Sequence, residues 1–318
     1  MSWVLAIALG ASATWAARDM PGVRNYAIDL LPLGEGKAEL PSAVWIGDDA
    51  ILVGEEALAR GAGSPEGLMR NPYAVLGEGD GSEAIDHVAV LLAETHRRAV
   101  AAAGSWPERT LLTHPDGWSM EQVMALRQAV TRAGLGVDLV TEPVALASAY
   151  RHDGGEGSRL LVLDPARGSA SAVARMGRVF IVMATENGAG SEDVIALAER
   201  ALARPGVRPE LLNEILLAGD TPDSGLAETL DARFRQEVVQ MPTSAMAAGA
   251  LHYNRSLHEV PPRPAPEPPP PAPAPEPVVR VNHAAPPAKK KGLPIVPLLL
   301  GILAVLIIAE LLFVYWPF

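Results

Sequence analysis

The chain has 318 residues, of which 49% are hydrophobic, so it can bury the core of one large domain or of two small ones. Its formal net charge of -11 argues against an electrostatic surface for nucleic acid, and we predict no nucleic-acid partner. The chain contains no cysteine, which excludes disulfides, thiolate metal sites and cysteine nucleophiles.

The first residues predict a β-hairpin. Val4–Leu9 has the continuous apolar pattern of a buried strand. Gly10–Thr14 has the residues of a turn, and Trp15–Arg18 is predicted as the start of a returning strand. A second interpretation treats Trp3–Ala17 as the apolar region of a cleaved signal peptide, which would make this an exported protein. Because no lysine or arginine precedes Arg18, the positively charged segment of such a peptide is missing, and the hairpin is favoured.

Strands and helices alternate through the next residues. Glu83–Ala103 has apolar residues at helical spacing, and Ser119 with Gln122 has the signature of a capping box on a helix that ends at Gly134. Similar hairpins are predicted near residues 10 and 168, which indicates two α/β lobes. The other predicted strands are Ser42–Ile46 and Ile51–Val53, which form a hairpin around Gly47-Asp48-Asp49, then Thr110–Thr113, Val137–Val140, a strand that follows from Leu211–Leu217, and Glu237–Gln240. The other predicted helices are Val144–Tyr150, Ser191–Ala203, Gly225–Phe234 and Ala245–Leu251.

No pattern in the sequence has the spacing of a metal site. Gly77–Gly81 lacks the full ligand spacing of a calcium loop, and Gly34–Lys37 lacks the spacing and the hydroxyl of a P-loop. The histidines at positions 87, 96, 114 and 152 are scattered and form no ligand pair. We therefore predict no metal ligands among these residues.

The segment Pro261–Gly292 predicts a linker. Its prolines lack a backbone donor and fix φ, so it cannot form a helix or a central strand. We expect polyproline II, a semi-rigid spacer with a rise of about 3.1 Å per residue. A ligand for an SH3-type domain is the alternative interpretation.

The residues after this linker predict a transmembrane helix. Leu298–Phe318 supplies the roughly 20 apolar residues that a membrane span needs. Lys289-Lys290-Lys291 precedes it, so the positive-inside rule places the globular region in the cytosol. We expect a single-pass anchor in the inner (cytoplasmic) membrane. Glu310 is the ionisable residue within the span, and we predict that it makes a membrane or helix–helix contact.

Short motifs follow one another in a fixed order over most of residues 3–251. They are Ala6–Gly10, Pro41–Val44, Leu52–Gly54, Asn71-Pro72, Thr113–Pro115, Ala133–Leu135, Thr141–Ala145, Asp164–Ser169, Gly190–Asp193, Leu217–Asp220 and Ala247–Ala250. In this order they resemble the ATPase domain of the DnaK-type heat-shock chaperones, within the actin-like ATPase superfamily. Each motif is weakly specific alone, and the resemblance depends on their shared order.

The resemblance implies an α/β fold of the two-lobed actin-like type with a trimmed second lobe. The first lobe would cover residues 1–156 and the second residues 157–255, without the subdomain that caps the nucleotide in the family. A proline-rich linker, 256–292, and a transmembrane anchor, 293–318, would complete the chain.

The resemblance also implies where a nucleotide site would lie. The residues that remain from a nucleotide-binding site would be Gly10, Ser12, Gly168, Ser169 and Gly219. The residues that remain from a catalytic site would be Asp164 and Glu142. The sequence departs from the family at several of these places. Ala8 stands where the family has a carboxylate, and Pro165, Ala166 and Arg167 interrupt the glycines of the second phosphate loop. No lysine follows Asn71-Pro72, and Lys37 is the one lysine before the linker.

These departures predict a protein without catalysis and without a cofactor. We expect a membrane-tethered pseudo-ATPase that serves as a cytosolic binding or scaffolding module for a protein partner that the sequence does not identify. The alternative is a divergent ATPase that binds ATP and Mg²⁺ through Asp164, Glu142 and Ser169.

Overall fold

A computed structural model describes residues 2–20, 27–77, 82–151, 155–188, 193–220 and 224–258. The strands within these ranges are β1 (Val4–Leu9), β2 (Ala13–Asp19), β3 (Asp29–Leu30), β4 (Glu39–Pro41), β5 (Ala43–Ile46), β6 (Ile51–Val53), β7 (Leu68–Arg70), β8 (Arg109–His114), β9 (Asp138–Thr141), β10 (Arg159–Asp164), β11 (Ser169–Met176), β12 (Val179–Asn187), β13 (Glu214–Ala218) and β14 (Val238–Met241). The helices are α1 (Glu55–Gly61), α2 (Ser82–Ala103), α3 (Met120–Arg132), α4 (Glu142–Tyr150), α5 (Val194–Ala203), α6 (Ser224–Phe234) and α7 (Ala245–His258).

Several predicted features lie outside the described residues. They are the proline-rich linker, the transmembrane segment with Glu310, residues 190–192 of the Gly190–Asp193 motif, most of the Gly77–Gly81 loop, and His152. Among the helices that the structure does describe, none combines the length and the apolar character that a membrane crossing requires.

Two large sheets repeat the same strand order. The first runs β3-β2-β1-β8-β9, with β4 also paired to β2, and the second runs β12-β11-β10-β13-β14. In both sheets a central strand pairs antiparallel with the strand that follows it and parallel with a later strand. A small sheet, β6-β5-β7, accompanies the first. We call the first sheet with α2 and α3 the first half, and the second sheet with α5 and α6 the second half.

Each central strand is buried on both faces because both faces of its sheet are covered. Along β1, Leu5, Ile7 and Leu9 belong to one core, and Val4, Ala6 and Ala8 belong to another. The first of these cores lies under α2 and α3. In the second half, Leu161 and Leu163 of β10 pack in the same way against α5 and α6.

The helices α4 and α7 lie between the two sheets. Their apolar residues share one core with the inner faces of both sheets. Helix α4 packs on β10, β11 and β12, whereas α7 packs on β1, β2 and β8, although α7 follows the second sheet in sequence. The order of layers is therefore helices, sheet, helix pair, sheet, helices, and the α4–α7 pair joins the two halves.

The two joining helices approach each other closely at Gly249. A Cβ at this position would overlap the backbone carbonyl of Ala145 and would lie 3.1 Å from the Cβ of Ala149. The neighbouring Ala247 and Ala250 of α7 are fully buried in the core that the two helices share. The absence of a side chain at 249 is thus what sets the distance between α4 and α7.

The predicted α/β alternation is confirmed, and so is the capping box. The side chain of Ser119 accepts from the backbone N–H of Gln122, and the Gln122 side chain accepts from the N–H of Ser119. Most predicted elements appear within a few residues of their expected bounds. The turn predicted for Gly10–Thr14 is shorter, since β2 already begins at Ala13, and the last helix continues to His258.

Four elements were not predicted: α1, β3, β4 and β7. Each has two to seven residues, so it is too short to give a clear period of 2.0 or 3.6 in the sequence. Strand β4 is stabilised by pairing with β2, and β7 is stabilised by pairing with β5. Each partner is an earlier strand of the chain, so these pairings depend on the tertiary fold.

We predict that Gly249→Ala destabilises the protein by about 1–3 kcal/mol in a urea titration, because overpacking between α4 and α7 outweighs the better helix propensity of alanine. Gly136→Ala is the control, since no atom lies within 4 Å of a Cβ there. We expect its effect to stay within about 0.5 kcal/mol. Equal stability of the two variants would contradict the close approach.

Candidate functional site

A cavity of about 450 Å³ lies between the two halves. It is bounded by the segment after β7, the loop after β8, the start of α4, the β10–β11 turn and the end of β12. Its polar lining residues are Asn71, Asp116, Gln122, Glu142, Asp164, Arg167, Ser169, Ser171, Thr185 and Asn187, and its aromatic lining residues are Tyr73 and Trp118. Among the described residues, the wall of the cavity therefore contains three carboxylates and one guanidinium.

The guanidinium belongs to Arg167, in the β10–β11 turn. Its Nη1 donates to Oε2 of Glu142 and lies 3.8 Å from Oδ2 of Asp164. Its Cζ lies 5.6 Å from the centroid of the Tyr73 ring, within the range of a cation–π interaction. The side chain is 28% exposed, so most of it is enclosed by these partners.

Glu142 is the first residue of α4, where the helix dipole favours a negative charge. Residue Glu142 is only 5% exposed. The hydroxyl of Tyr73 donates to the carbonyl of Thr113 at 3.1 Å and lies 3.5 Å from Oε1 of Glu142. This carboxylate is therefore held by groups from both halves.

Burial raises the pKa of Glu142 to about 7, with Arg167 opposing the shift and Asp164 adding to it. Burial, together with the charge of Glu142, also raises the pKa of the Tyr73 hydroxyl well above its usual value. For Arg167, burial lowers the pKa, but the neighbouring carboxylates outweigh it and raise the pKa overall. The guanidinium is thus permanently charged, whereas Glu142 titrates near neutrality.

Two backbone donors of the β10–β11 turn are used within the turn. The N–H of Arg167 donates to Oδ1 of Asp164 at 3.2 Å, and the N–H of Gly168 donates to the carbonyl of Pro165 at 3.3 Å. Pro165 itself has no N–H to offer. A loop that binds phosphate must point its backbone N–H groups at the ligand, whereas these two N–H groups are hydrogen-bonded within the turn.

The first hairpin turn is also closed. Gly10 donates to the carbonyl of Ala13 at 2.9 Å, and a Cβ at Gly10 would lie 2.7 Å from the Trp15 ring. Ser12 is exposed, and its carbonyl accepts from the N–H of Ser42 at 3.0 Å. Both residues lie outside the lining of the cavity.

Gly219 has a φ of +137°, which favours glycine, and its N–H donates to the carbonyl of Met241 at 3.0 Å. The neighbouring Asp220 accepts from the N–H and the hydroxyl of Thr243 at 2.8 and 3.0 Å. The carboxylate of Asp220 is therefore hydrogen-bonded to the segment that lies just before α7.

Two contacts tie the halves together at the edge of the cavity. The hydroxyl of Thr185 donates to Oδ2 of Asp116 at 2.7 Å, and the amide of Asn187 donates to the carbonyl of Gly117 at 3.0 Å. We call these two hydrogen bonds the rim contacts. Ser171 supports the first of them, since its Oγ lies 2.8 Å from that of Thr185.

The structure brings together only part of the predicted site. Glu142, Asp164 and Ser169 line the cavity, whereas Gly10, Ser12, Gly168 and Gly219 do not. The role of these four as remnants of nucleotide binding stays a prediction. Lys37 pairs with Glu55 at 3.3 Å, away from the cavity lining. Within the described ranges, no cluster of histidine and acidic residues could hold a metal ion.

The sequence did not indicate the contacts of Arg167, Tyr73 and Asp116. Because Arg167 follows Asp164 by three positions, its contact with that carboxylate could have been predicted from the sequence. Its pairing with Glu142 joins positions 25 residues apart and depends on the tertiary fold.

Comparison with known proteins supports only a remote similarity. No family model matches the chain. A chaperone protein HscA homolog from Aliivibrio salmonicida (strain LFI1238) is 27% identical over 205 residues, which cover 54% of this chain. The match spans only 33% of that relative's length. It supports at most a distant relationship to the ATPases of the DnaK type.

We predict that wild-type protein loses stability relative to Glu142→Gln as the pH rises from 4.5 to about 7. The folded-state pKa of Glu142, about 7, lies above the ordinary value of 4.5, so the folded state holds a proton that the unfolded state releases. A shift of this size corresponds to a change of about 3 kcal/mol over the window. Urea unfolding of both proteins at several pH values measures it, and a constant difference between them would contradict the raised pKa.

Proposed function

We propose that this protein is a membrane-tethered pseudo-ATPase of the DnaK type, whose globular domain binds or positions a protein partner in the cytosol without hydrolysing ATP. The observation that carries this proposal is the position of Arg167 in the wall of the inter-half cavity, where its side chain bonds Glu142 from the turn that the resemblance assigns to phosphate binding.

The proposed fold is the two-lobed actin-like one. Its support is the repeated strand order of the two sheets and the helix pair between them. The distant similarity to an HscA homolog points the same way. The short connection from α5 to β13, residues 204–213, leaves no space for a capping subdomain at that point.

The charges of the cavity argue against an anionic ligand. Three carboxylates face one guanidinium, and that guanidinium is already paired. A triphosphate would meet repulsion from Asp116 and Asp164, and the turn offers it neither the N–H of Arg167 nor that of Gly168. The loss of one preorganised donor typically costs about 3 kcal/mol in a transition state.

The proposal of a membrane tether rests on the sequence of Leu298–Phe318 and on the lysines at 289–291. An anchor behind a proline-rich spacer would restrict the domain to a layer next to the membrane. In that layer, its effective concentration toward other membrane-bound proteins would be high. This arrangement suits a binding module better than a freely diffusing enzyme.

A divergent ATPase is the second candidate. The retention of Asp164, Glu142 and Ser169 around one cavity favours it. ATP and Mg²⁺ would bind only if Arg167 moved out of the cavity and left both carboxylates free. This candidate requires that Asp164→Asn abolish a measurable rate of hydrolysis.

We predict no heat of binding when the purified chain is titrated with ATP and Mg²⁺ to millimolar concentration. The matched variant Pro165→Gly/Ala166→Gly/Arg167→Gly restores backbone freedom to the turn, and comparing it with the wild type isolates the effect of these three side chains. Micromolar binding with turnover in the wild type, lost in Asp164→Asn, would overturn the pseudo-ATPase proposal and establish the ATPase.

We predict that the full chain remains in the membrane pellet after carbonate extraction and that a chain truncated after Gly292 is released. In inside-out vesicles, added protease should degrade the globular domain, whereas right-side-out vesicles should protect it. Release of the full chain, or protection in the opposite vesicles, would refute the tether or its orientation.

A further inference from the structure

The wall of the inter-half cavity carries more negative than positive charge. Asp116, Glu142 and Asp164 contribute carboxylates, and Arg167 contributes the guanidinium found among the described lining residues. With all four groups ionised, three negative charges and one positive charge leave an excess of two negative charges. The excess falls to one when Glu142 is protonated, and burial raises the pKa of that carboxyl to about 7. In both states the wall favours a positively charged ligand over an anion.

Asp116 is the carboxylate in this wall that has no cationic partner. Glu142 is bonded to Arg167, and Asp164 lies 3.8 Å from the same guanidinium. The partly buried Asp116 instead accepts a hydrogen bond from the hydroxyl of Thr185 at 2.7 Å, and it forms no ion pair with any described residue. A carboxylate has about four acceptor sites on its two oxygens, so Asp116 can still accept bonds from a ligand.

A second acceptor without a partner lies in the same wall. Asn71 lines the cavity, and its side-chain Oδ1 is a buried atom that accepts no hydrogen bond from the residues that the structure describes. Buried acceptors of this kind are destabilising unless a donor is supplied. An ammonium group has three donors and no acceptor, which suits a wall that contains Asp116, Asp164 and Asn71.

Aromatic rings form another part of the wall. Trp118 follows Asp116 by two positions, and its ring centroid lies 4.7 Å from that of Tyr73 at an interplanar angle of 50°. The guanidinium of Arg167 already lies 5.6 Å from the centroid of the Tyr73 ring, so this wall packs one cation against an aromatic ring. Tryptophan is the aromatic side chain that attracts cations most strongly, and Trp118 provides it close to Asp116 in sequence.

The size and the remaining lining of the cavity indicate an organic ligand. Its volume of about 450 Å³ falls within the usual range for small-molecule sites. The lining includes Leu146, Val162 and Met246, which are 1–4% exposed and would pack against methylene groups. Within the described ranges, no group of histidine and acidic residues could hold a metal ion. A cation with an aliphatic chain therefore fits both the charge and the apolar part of this cavity.

We propose that the inter-half cavity binds a small aliphatic amine, whose ammonium group bonds Asp116 and whose methylene chain packs on Trp118 and the apolar lining residues. The proposal goes beyond the proposed function, because it assigns a ligand to the cavity and does not depend on a membrane tether or on a protein partner. A carboxylate on the ligand would meet the same repulsion from Asp116 and Asp164 as a phosphate.

Three probes with matched carbon chains test this ligand class by calorimetric titration of the full-length chain in detergent. Cadaverine (1,5-diaminopentane) should bind at one site with a Kd below about 1 mM, since few heavy atoms seldom give tight binding. The neutral 1,5-pentanediol should give no heat of binding. Lysine, which adds a carboxylate to the skeleton of cadaverine, should bind at least about tenfold more weakly. No binding of cadaverine, or equal binding of 1,5-pentanediol, would overturn the proposal.

Asp116→Asn then locates the site, because asparagine keeps an oxygen for the hydroxyl of Thr185 and loses the charge. We expect the Kd for cadaverine to rise by about tenfold or more. Asp49→Asn is the matched control, since Asp49 is a 65% exposed side chain outside the cavity lining. Its effect should stay within about twofold. Because the chain has a net charge of -11, equal weakening in both variants would indicate nonspecific attraction and would refute the site.

Asn187 supplies a second pair of variants if Asp116→Asn folds poorly. This exposed residue lines the cavity at the end of β12. Asn187→Lys places an ammonium group at the cavity and should weaken the binding of cadaverine by about tenfold, whereas Asn187→Gln keeps the amide and should bind like the wild type. Unchanged binding in Asn187→Lys would contradict the proposal. The titration with ATP and Mg²⁺ tests the pseudo-ATPase proposal separately, so the failure of one can be told from the failure of the other.

Discussion

The contact between α4 and α7 at Gly249 determines how the two sheets can be placed. A side chain at 249 would overlap the carbonyl of Ala145, so the two helices can lie this close only because the position is glycine. Their small residues bring the inner faces of both sheets into one shared core. Helix α4 packs on the second sheet and α7 on the first, so each half depends on the other for a covered face. The cavity lies between the two halves that this helix pair joins.

Within the cavity, a side chain of the protein supplies the positive charge. The three carboxylates in the wall would repel one another, and Arg167 offsets this by its bond to Glu142 and its proximity to Asp164. The same residue closes the turn, because its own N–H donates to Asp164. Arg167 thus affects both the electrostatics of the cavity and the backbone donors available around it.

Sequence patterns predicted the α/β alternation well because long elements carry their own periodicity. The apolar pattern of β1 and the capping box of Ser119 and Gln122 are local signals, and both correspond to the observed elements. Short elements such as α1 carry no such signal and are set by tertiary packing. For the site, motif order placed Glu142, Asp164 and Ser169 around one cavity. It could not reveal that Gly10 packs on Trp15, or that Arg167 reaches Glu142, since both depend on side chains brought together by the fold.

A guanidinium that is covalently part of the chain has consequences for regulation. The occupancy of a site by a free metal ion or nucleotide follows the concentration of that ligand, and dilution empties it. The occupancy of a site by a group of the same chain does not change on dilution, because the local concentration of that group is fixed by the covalent structure. The positive charge that Arg167 brings to this cavity therefore does not depend on the concentration of a free ligand.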